Sequence, residues 1–301
     1  MSVPKDNKVI VRLSGGLGNQ MFQFAAARRI SIHNKALLQV DLSWFDQKGH
    51  WTARKYELGI FNMPVEYAKK RDVKNLKSFR QNFFFRRLPS LLKSQIFNSN
   101  HSHVIEKDFA FDLDILSITG NIYLDGHWQS YKYFDDVGET IRRDFSFGDE
   151  IDATNRQVAD TIISCEAVSL HIRRGDFVTL RSASNMHGLC SLQYYEKAAS
   201  IMQSRLKTPV CFVFSDDVQW AKDHLNLEMS KIFIDHNELV PHMDMYLMSL
   251  CRHHIIANSS FSWWGAWLGK NFEKTVIGPI KWFKNDKINT QDLMPKKWVR
   301  I

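Results

Sequence analysis

Pro209-Val210-Cys211-Phe212-Val213-Phe214 is the stretch that leaves this chain the fewest choices. It carries no charge, and Ser215-Asp216-Asp217 closes it at once. It is far too short to span a membrane and too uniformly apolar for a strand with one wet face. A strand buried on both faces satisfies it, and such strands belong to parallel sheets covered by helices. The same pattern recurs on either side. Val168–Ile172, Lys231–Asp235 and His254–Ala257 read as further strands. Ser191–Leu206, Asp217–Leu225, Met243–Cys251 and a segment ending at Leu268 read as the helices between them. Strands alternating with helices predict a parallel α/β sheet.

The first half opens in the same style. Val9–Leu13 predicts a buried strand, Ser14-Gly15-Gly16-Leu17-Gly18-Asn19-Gln20 a glycine-rich turn, and Met21–His33 a helix. This is the opening of a Rossmann-like domain, in which Gly16 and Gly18 let a ligand approach the backbone and the helix N-terminus. The spacing is not the G-x-G-x-x-G of a dinucleotide fingerprint. Ala36–Asp41 predicts a second strand, 44–64 is irregular and aromatic, and 65–107 reads as mostly helical and basic. Within it, Asn82–Leu88 mixes phenylalanines with arginines and reads as a core helix with a charged edge rather than a membrane contact. Asp112-Leu113-Asp114 spells D-x-D without a strand end to support it, so both carboxylates are expected to be solvated. Asn121–Gln129 predicts a strand running into a turn, and 131–145 a helix that closes the domain. Polar residues 148–154 are the expected linker, which gives domains 1–150 and 151–301.

With 301 residues, 44% hydrophobic and 24% charged, the chain has the composition of a soluble protein of two domains. No apolar run reaches the roughly 18 residues of a span, and Met1–Lys8 lacks the apolar core of a signal peptide. Cys165, Cys190, Cys211 and Cys251 are scattered and form no C-x-x-C, which favours free thiols and a cytoplasmic setting. The net charge of +8 suits a phosphorylated substrate, an anionic membrane surface or nucleic acid. Because the charge is spread along the chain, nucleic acid is not the expected partner.

Three strand ends of the second half offer complementary groups. In His171-Ile172-Arg173-Arg174-Gly175-Asp176, period two puts Ser169, His171 and Arg173 on one face and turns Arg174 away. Gly175 is expected to let the chain leave the strand at an unusual backbone angle. An imidazole beside a guanidinium fork at a strand C-terminus suits phosphate and sugar. Ser215, Asp216 and Asp217 can take hydrogen bonds from a base or ribose. Asn258-Ser259-Ser260-Phe261 can bind phosphate through hydroxyls and a helix N-terminus. Each has a duller alternative: solvated surface arginines, or plain helix caps. All three on one sheet point to a nucleoside-diphosphate site.

Taken together, these segments resemble a family. Gly15–Gln23, Asp125–Ser130, His171–Asp176, His187–Leu192, Phe214–Asp217, Asn258–Trp264 and Asp292–Trp298 look like the motifs of the α-1,2-fucosyltransferases of glycosyltransferase family 11, in the same order. The animal members carry a membrane anchor that is not seen here, so the chain looks bacterial. The resemblance implies a GT-B fold, two Rossmann-like domains facing across a cleft. It implies GDP-L-fucose as donor, the 2-hydroxyl of a terminal β-galactoside as acceptor, inversion, and no metal or other cofactor. Arg173 would hold the β-phosphate with His171 nearby, an aspartate of the Asp216–Asp217 pair would read guanine, Ser259 and Ser260 would bind phosphate, and Asn19 would face sugar and acceptor. The general base is open between Asp176 and His187, with Asp125 behind them and a water held by Asn19 as the further option. A lipid-linked acceptor in O-antigen synthesis would bring the protein to the inner membrane. Rival activities are α-1,6 or protein O-linked fucosyl transfer.

Overall fold

A computed structural model describes residues 7–47, 53–61, 63, 65–78, 101–148 and 151–301. By internal contacts the chain divides into two compact units. One is built mainly from residues up to Ser146 together with 289–293, the other mainly from 147–288 and 294–301. The main change of unit comes after Ser146, and Asp152 caps the next helix by accepting from the Asn155 amide.

The first unit holds five strands: β1 (Lys8–Arg12), β2 (Leu37–Asp41), β3 (Glu66–Tyr67), β4 (His101–Ile105) and β5 (Asn121–Asp125). They lie in the order β3-β2-β1-β5-β4, every pair parallel. Val9, Ile10 and Val11 of the central β1 are wholly buried, as a strand sandwiched between helices requires. Helix α1 (Leu17–Asn34) starts four residues before the expected Met21. The Asn19 and Gln20 amides already bond to the Gly16 carbonyl, so the glycine stretch is the helix's first turn, with Gly16 as its cap residue.

The segment 65–107 departs from the expectation. Among its described residues only α2 (Lys70–Ser78) is helical, while β3 and β4 pair with the sheet. Both are edge strands, short and polar, and their pairing partners rather than their own pattern make them strands. Asn82–Leu88 lies outside the described residues. The expected helix over 131–145 is two 3₁₀ turns, Tyr131–Tyr133 and Asp135–Val137, followed by α3 (Gly138–Asp144). Phe134, fully buried, breaks the helical run at φ −144° between them. Asp112 caps a 3₁₀ turn over Leu113–Ser117 by accepting from the Asp114 amide, a local duty in keeping with the solvated reading.

The second unit holds β6 (Glu166–Ile172), β7 (Pro209–Ser215), β8 (Ser230–Ile234), β9 (His253–Ile255), β10 (Val276–Gly278) and β11 (Val299–Arg300). All pairs are parallel, in the order β11-β10-β9-β6-β7-β8. From β6 the chain winds outward through β7 and β8, then returns to start β9 on the other side of β6. That is the doubly wound Rossmann order, and its switch point lies between β6 and β9. The helices are α4 (Ala153–Ser164), α5 (Gly175–Thr179), α6 (Arg181–Met186), α7 (Leu192–Arg205), α8 (Val218–His224), α9 (His242–Leu250) and α10 (Ser260–Leu268). Val168, Leu170 and Ile172 pack with Cys211, Val213, Ile255 and Ile277 under Tyr195, Ala198 and Met202 of α7. The period-two assignment of faces therefore holds: Ser169 is on the opposite face, bonded to the His254 ring at 2.8 Å.

Candidate active site

In an open α/β sheet, ligands bind beyond the strand C-termini at the switch point. Here that point joins the segment after β6, His171 to Asp176, to the segment after β9, Asn258 to Phe261. The two segments touch: the His171 ring lies 5.7 Å from the Phe261 ring. His171 is buried, and its Nδ1 has no hydrogen-bond partner. Burial, and then the Arg173 charge, push its pKa down to about 3, so it stays a neutral imidazole.

Arg173 is held by two carboxylates. Its Nη2 donates to Asp176 at 2.7 Å and its Nη1 meets Asp216 at 2.9 Å. The guanidinium also lies 5.5 Å from the centre of the Phe177 ring. Two carboxylates do not exhaust a fork with five N–H donors. Arg174 points elsewhere, stacking 3.7 Å over Trp220 and donating to Asp217 at 3.1 Å. Asp217 caps α8 through the Trp220 amide, and its own amide donates to the Ser215 hydroxyl. Asp216 accepts the Arg174 amide at 2.7 Å. Ser215, Asp216 and Asp217 thus organise the arginines, the local duty that a cap reading allows.

Gly175 is required for a reason other than the expected one. Its φ is not in the left-handed region. A Cβ there would stand 2.4 Å from Asp216 Oδ2, inside any real contact. A Cβ at this exit from β6 would push the Asp216 carboxylate off the position in which it holds Arg173.

On the β9 side, Ser259 is the cap residue of α10, its hydroxyl accepting the Phe261 amide at 3.3 Å. The hydroxyl hydrogen stays available to donate. Ser260 opens the helix, whose N-terminus carries the positive end of its dipole. Asn258, buried, donates to the carbonyls of His187, Gly188 and Trp282 at 3.0–3.3 Å. It ties the 187–190 loop to the end of β9, and Cys190 Sγ donates back to it at 3.5 Å. His187 stacks flat on Phe177, ring centres 4.5 Å apart and planes at 1°, with Phe283 at 5.3 Å. The structure therefore gathers His171, Arg173, Asp176, His187, Ser215, Asp216, Asp217, Asn258, Ser259, Ser260 and Phe261 around one switch point.

Gly16, Gly18 and Asn19 belong to the first unit, at the N-terminus of α1. Gly15 sits at φ +73°, and a Cβ on it would meet Asn19 Nδ2 at 2.5 Å. Asn19 Oδ1 accepts from Gln129 Nε2 at 2.8 Å. Two residues without an assigned role lock this turn. Gln20 donates to the Gly15 and Lys55 carbonyls and accepts the Glu57 amide. Gln23 bonds both the amide and the hydroxyl of Ser14. Both glutamines are wholly buried. Their signal was readable: two glutamines flanking and interrupting the apolar run Met21–Ala27 demand polar partners. Asp125, the remaining carboxylate, pairs with Arg12 at 2.7 Å and faces His103 at 3.7 Å. Burial alone would raise its pKa, but His103 and Arg12 overcome that and hold it below the ordinary range, which weakens it as a base.

Residues 71–301 match the model of glycosyl transferase family 11. The chain belongs to that family. It is 37% identical over 300 residues to an α-1,2-colitosyltransferase of Escherichia coli, covering 97% of this chain and 98% of that protein. The O-antigen biosynthesis glycosyltransferase WbnK of Escherichia coli is 32% identical over 300 residues, covering 96% and 99%. Human galactoside α-(1,2)-fucosyltransferase 1 is 25% identical over 158 residues, 48% of this chain and 42% of that protein. A mutant of Arabidopsis thaliana FUT1 solved with GDP superposes with a TM-score of 0.51 at 12% identity, covering 90% of this chain and 70% of that one. The family 11 chain thus has the α/β GT-B class of fold, with two Rossmann-like parallel sheets. None of its described helices is long and apolar enough to cross a membrane.

Proposed function

We propose that this family 11 glycosyltransferase moves L-fucose from GDP-β-L-fucose to the 2-hydroxyl of a terminal β-galactoside, with inversion and without a required metal. One observation carries the reading: the switch point of the second sheet sets the strand end that leads into Arg173 beside the strand end that leads into α10, and the buried, neutral His171 ring meets Phe261 of α10 there. As the acceptor oxygen bonds to the anomeric carbon, the bond to the β-phosphate oxygen breaks, and that oxygen takes the electron pair. Arg173 and the helix dipole meet the growing charge without reorganising, which is the strongest kind of transition-state stabilisation. The acceptor proton passes to His187 or Asp176. Asp176 already carries the Arg173 cation, whereas His187 sits in the loop that Asn258 holds. A rate profile of His187→Ala and Asp176→Asn against pH separates them: the base is the residue whose loss removes the acid limb.

The names of the relatives support α-1,2 transfer in O-antigen synthesis over α-1,6 or protein O-linked transfer. The 37% relative favours a second donor, since colitose is fucose without its 3-hydroxyl. The acceptor is a galactose-terminated glycan, lipid-linked in this reading, and the charge of +8 would draw the protein to an anionic inner-membrane surface from the cytoplasm. Nucleic acid is not a partner in this reading. Incubation with GDP-fucose or GDP-colitose and a panel of galactosides, with GDP release and product linkage by NMR as readouts, tests it. An α-1,2 product is expected. Transfer of neither sugar, or another linkage, overturns it. Full turnover in EDTA is expected, and loss that magnesium or manganese restores would refute the metal-free reading.

A further inference from the structure

The geometry points to Glu106, in its ionised form, as a positioning residue that clamps the Gly126–Gln129 loop and so fixes Asn19 at the glycine turn. Glu106 follows β4, and its amide bonds to the Asp125 carbonyl. Its side chain then reaches along the neighbouring loop. Oε2 accepts the His127 amide at 2.6 Å, and Oε1 accepts the Trp128 amide at 2.9 Å. Both oxygens serve as acceptors only, which a carboxylate can do and a carboxylic acid cannot.

The loop needs such a clamp. Trp128 is fully buried in the left-handed region, at φ +55°, a conformation that persists only where its surroundings overdetermine it. Gly126 lies against the clamp, since a Cβ there would stand 2.4 Å from Glu106 Cβ. Its φ is not left-handed, so close approach alone demands glycine. From Trp128 the chain turns tightly, the Ser130 amide bonding the Trp128 carbonyl at 2.8 Å. This turn delivers Gln129, whose side-chain amide donates to Asn19 at 2.8 Å. Ser130 anchors the far side by donating to the Asp292 carbonyl, while Lys132 pairs with the Asp292 carboxylate. A chain of close contacts thus runs from one carboxylate to the residue read as facing sugar and acceptor.

Burial, opposed by the two amide bonds and helped by Asp108, raises the Glu106 carboxyl to about 7. The other titratable groups around it are the Tyr133 hydroxyl, Asp112, His127, whose imidazole burial pushes below its ordinary pKa, and Asp125, which Arg12 neutralises. The clamp is therefore engaged above about pH 7 and released below it. It matters for turnover only on the reading that Asn19 faces the reacting groups.

The test uses the full chain as wild type, Glu106→Gln and Gly126→Ala. Amide hydrogen exchange of peptides covering 126–130, corrected for intrinsic rates, reads the clamp without any substrate. Exchange is expected to quicken about 10-fold in both variants, the equivalent of one net hydrogen bond. In the wild type it should quicken on going below pH 7, and in Glu106→Gln it should not change. In transfer assays kcat should fall about 10-fold or more in both variants, with little change in the donor KM. The clamp's share of the acid limb, near pH 7, should vanish in Glu106→Gln, while the limb set by the general base persists. Unchanged exchange overturns the proposal. Faster exchange with an unaltered pH profile also overturns it, because the carboxylate would then be merely structural. A wild type that transfers no sugar, but whose exchange still switches with Glu106, would support the clamp and sink the proposed function.

Discussion

Arg173 is the residue whose removal reads most directly on the proposed mechanism. Its side chain is 21% exposed and joins Asp176 at 2.7 Å and Asp216 at 2.9 Å. Arg173→Ala therefore does two things at once. It takes a preorganised cation from the leaving diphosphate, a loss of about 2.7–4 kcal/mol, or about 100- to 1,000-fold in turnover. It also leaves two neighbouring carboxylates without their shared counter-charge. Stripping one partner from a buried pair costs about 3–5 kcal/mol, and with these groups still partly wet the cost falls below that. The second effect must be separated from the first. Thermal melts fix a temperature at which the variant is folded, and turnover is compared there. GDP binding, read by thermal shift, should weaken less than kcat falls, because charge on the leaving oxygen peaks in the transition state. Arg173→Lys keeps the charge but loses the fork that spans Asp176 and Asp216, so it should recover stability better than turnover. A folded Arg173→Ala enzyme with nearly wild-type turnover would refute the assignment of the donor site.

The second unit was the more legible half, and its residues say why. Pro209–Phe214 could be nothing but a central strand, because apolar side chains point to both faces. β10 and β11 were missed because three and two residues carry no period, and only pairing with β9 and with each other makes them strands. In the first unit, β3 and β4 failed for the same reason, as edge strands whose polar residues gave no alternation. Of the site, the backbone placement of Ser169 and His171 was readable from period two, since a strand alternates whatever surrounds it, whereas Arg173 lies just past the end of β6. The ion pairs were not readable. That Asp216 holds Arg173, while Asp217 caps α8 and holds Arg174, depends on how two strand ends meet in space. Glu106 gave no local signal at all. Its role comes from β4 pairing with β5, which sets a carboxylate beside two amides of a loop 21 and 22 residues on.

Three further outcomes test the packing around the site. Gly175→Ala should cost about 1–3 kcal/mol by overpacking against Asp216, and the penalty should shrink when Asp216 is also Ala. Additive losses in a urea double-mutant cycle would show that the two residues do not meet. Asn258→Ala strips a shared donor from the His187, Gly188 and Trp282 carbonyls, so it should destabilise by about 2 kcal/mol and loosen the 187–190 loop, read by hydrogen exchange. Wild-type exchange there would refute the tie. The last outcome concerns acid. The buried His171 imidazole is pushed down to about 3 from an ordinary 6.5. Between those values the unfolded chain binds a proton that the folded one refuses. Stability is therefore full above about pH 6.5 and falls by roughly 1.4 kcal/mol per unit as the pH drops toward 3. His254, also buried and shifted the same way, adds to the slope. His171→Gln should remove one proton's share of the slope between pH 6 and 5 while leaving that of His254. Equal slopes in urea titrations of the two proteins would mean that the His171 ring is hydrated, and that the apolar wall it forms with Phe261 does not exist.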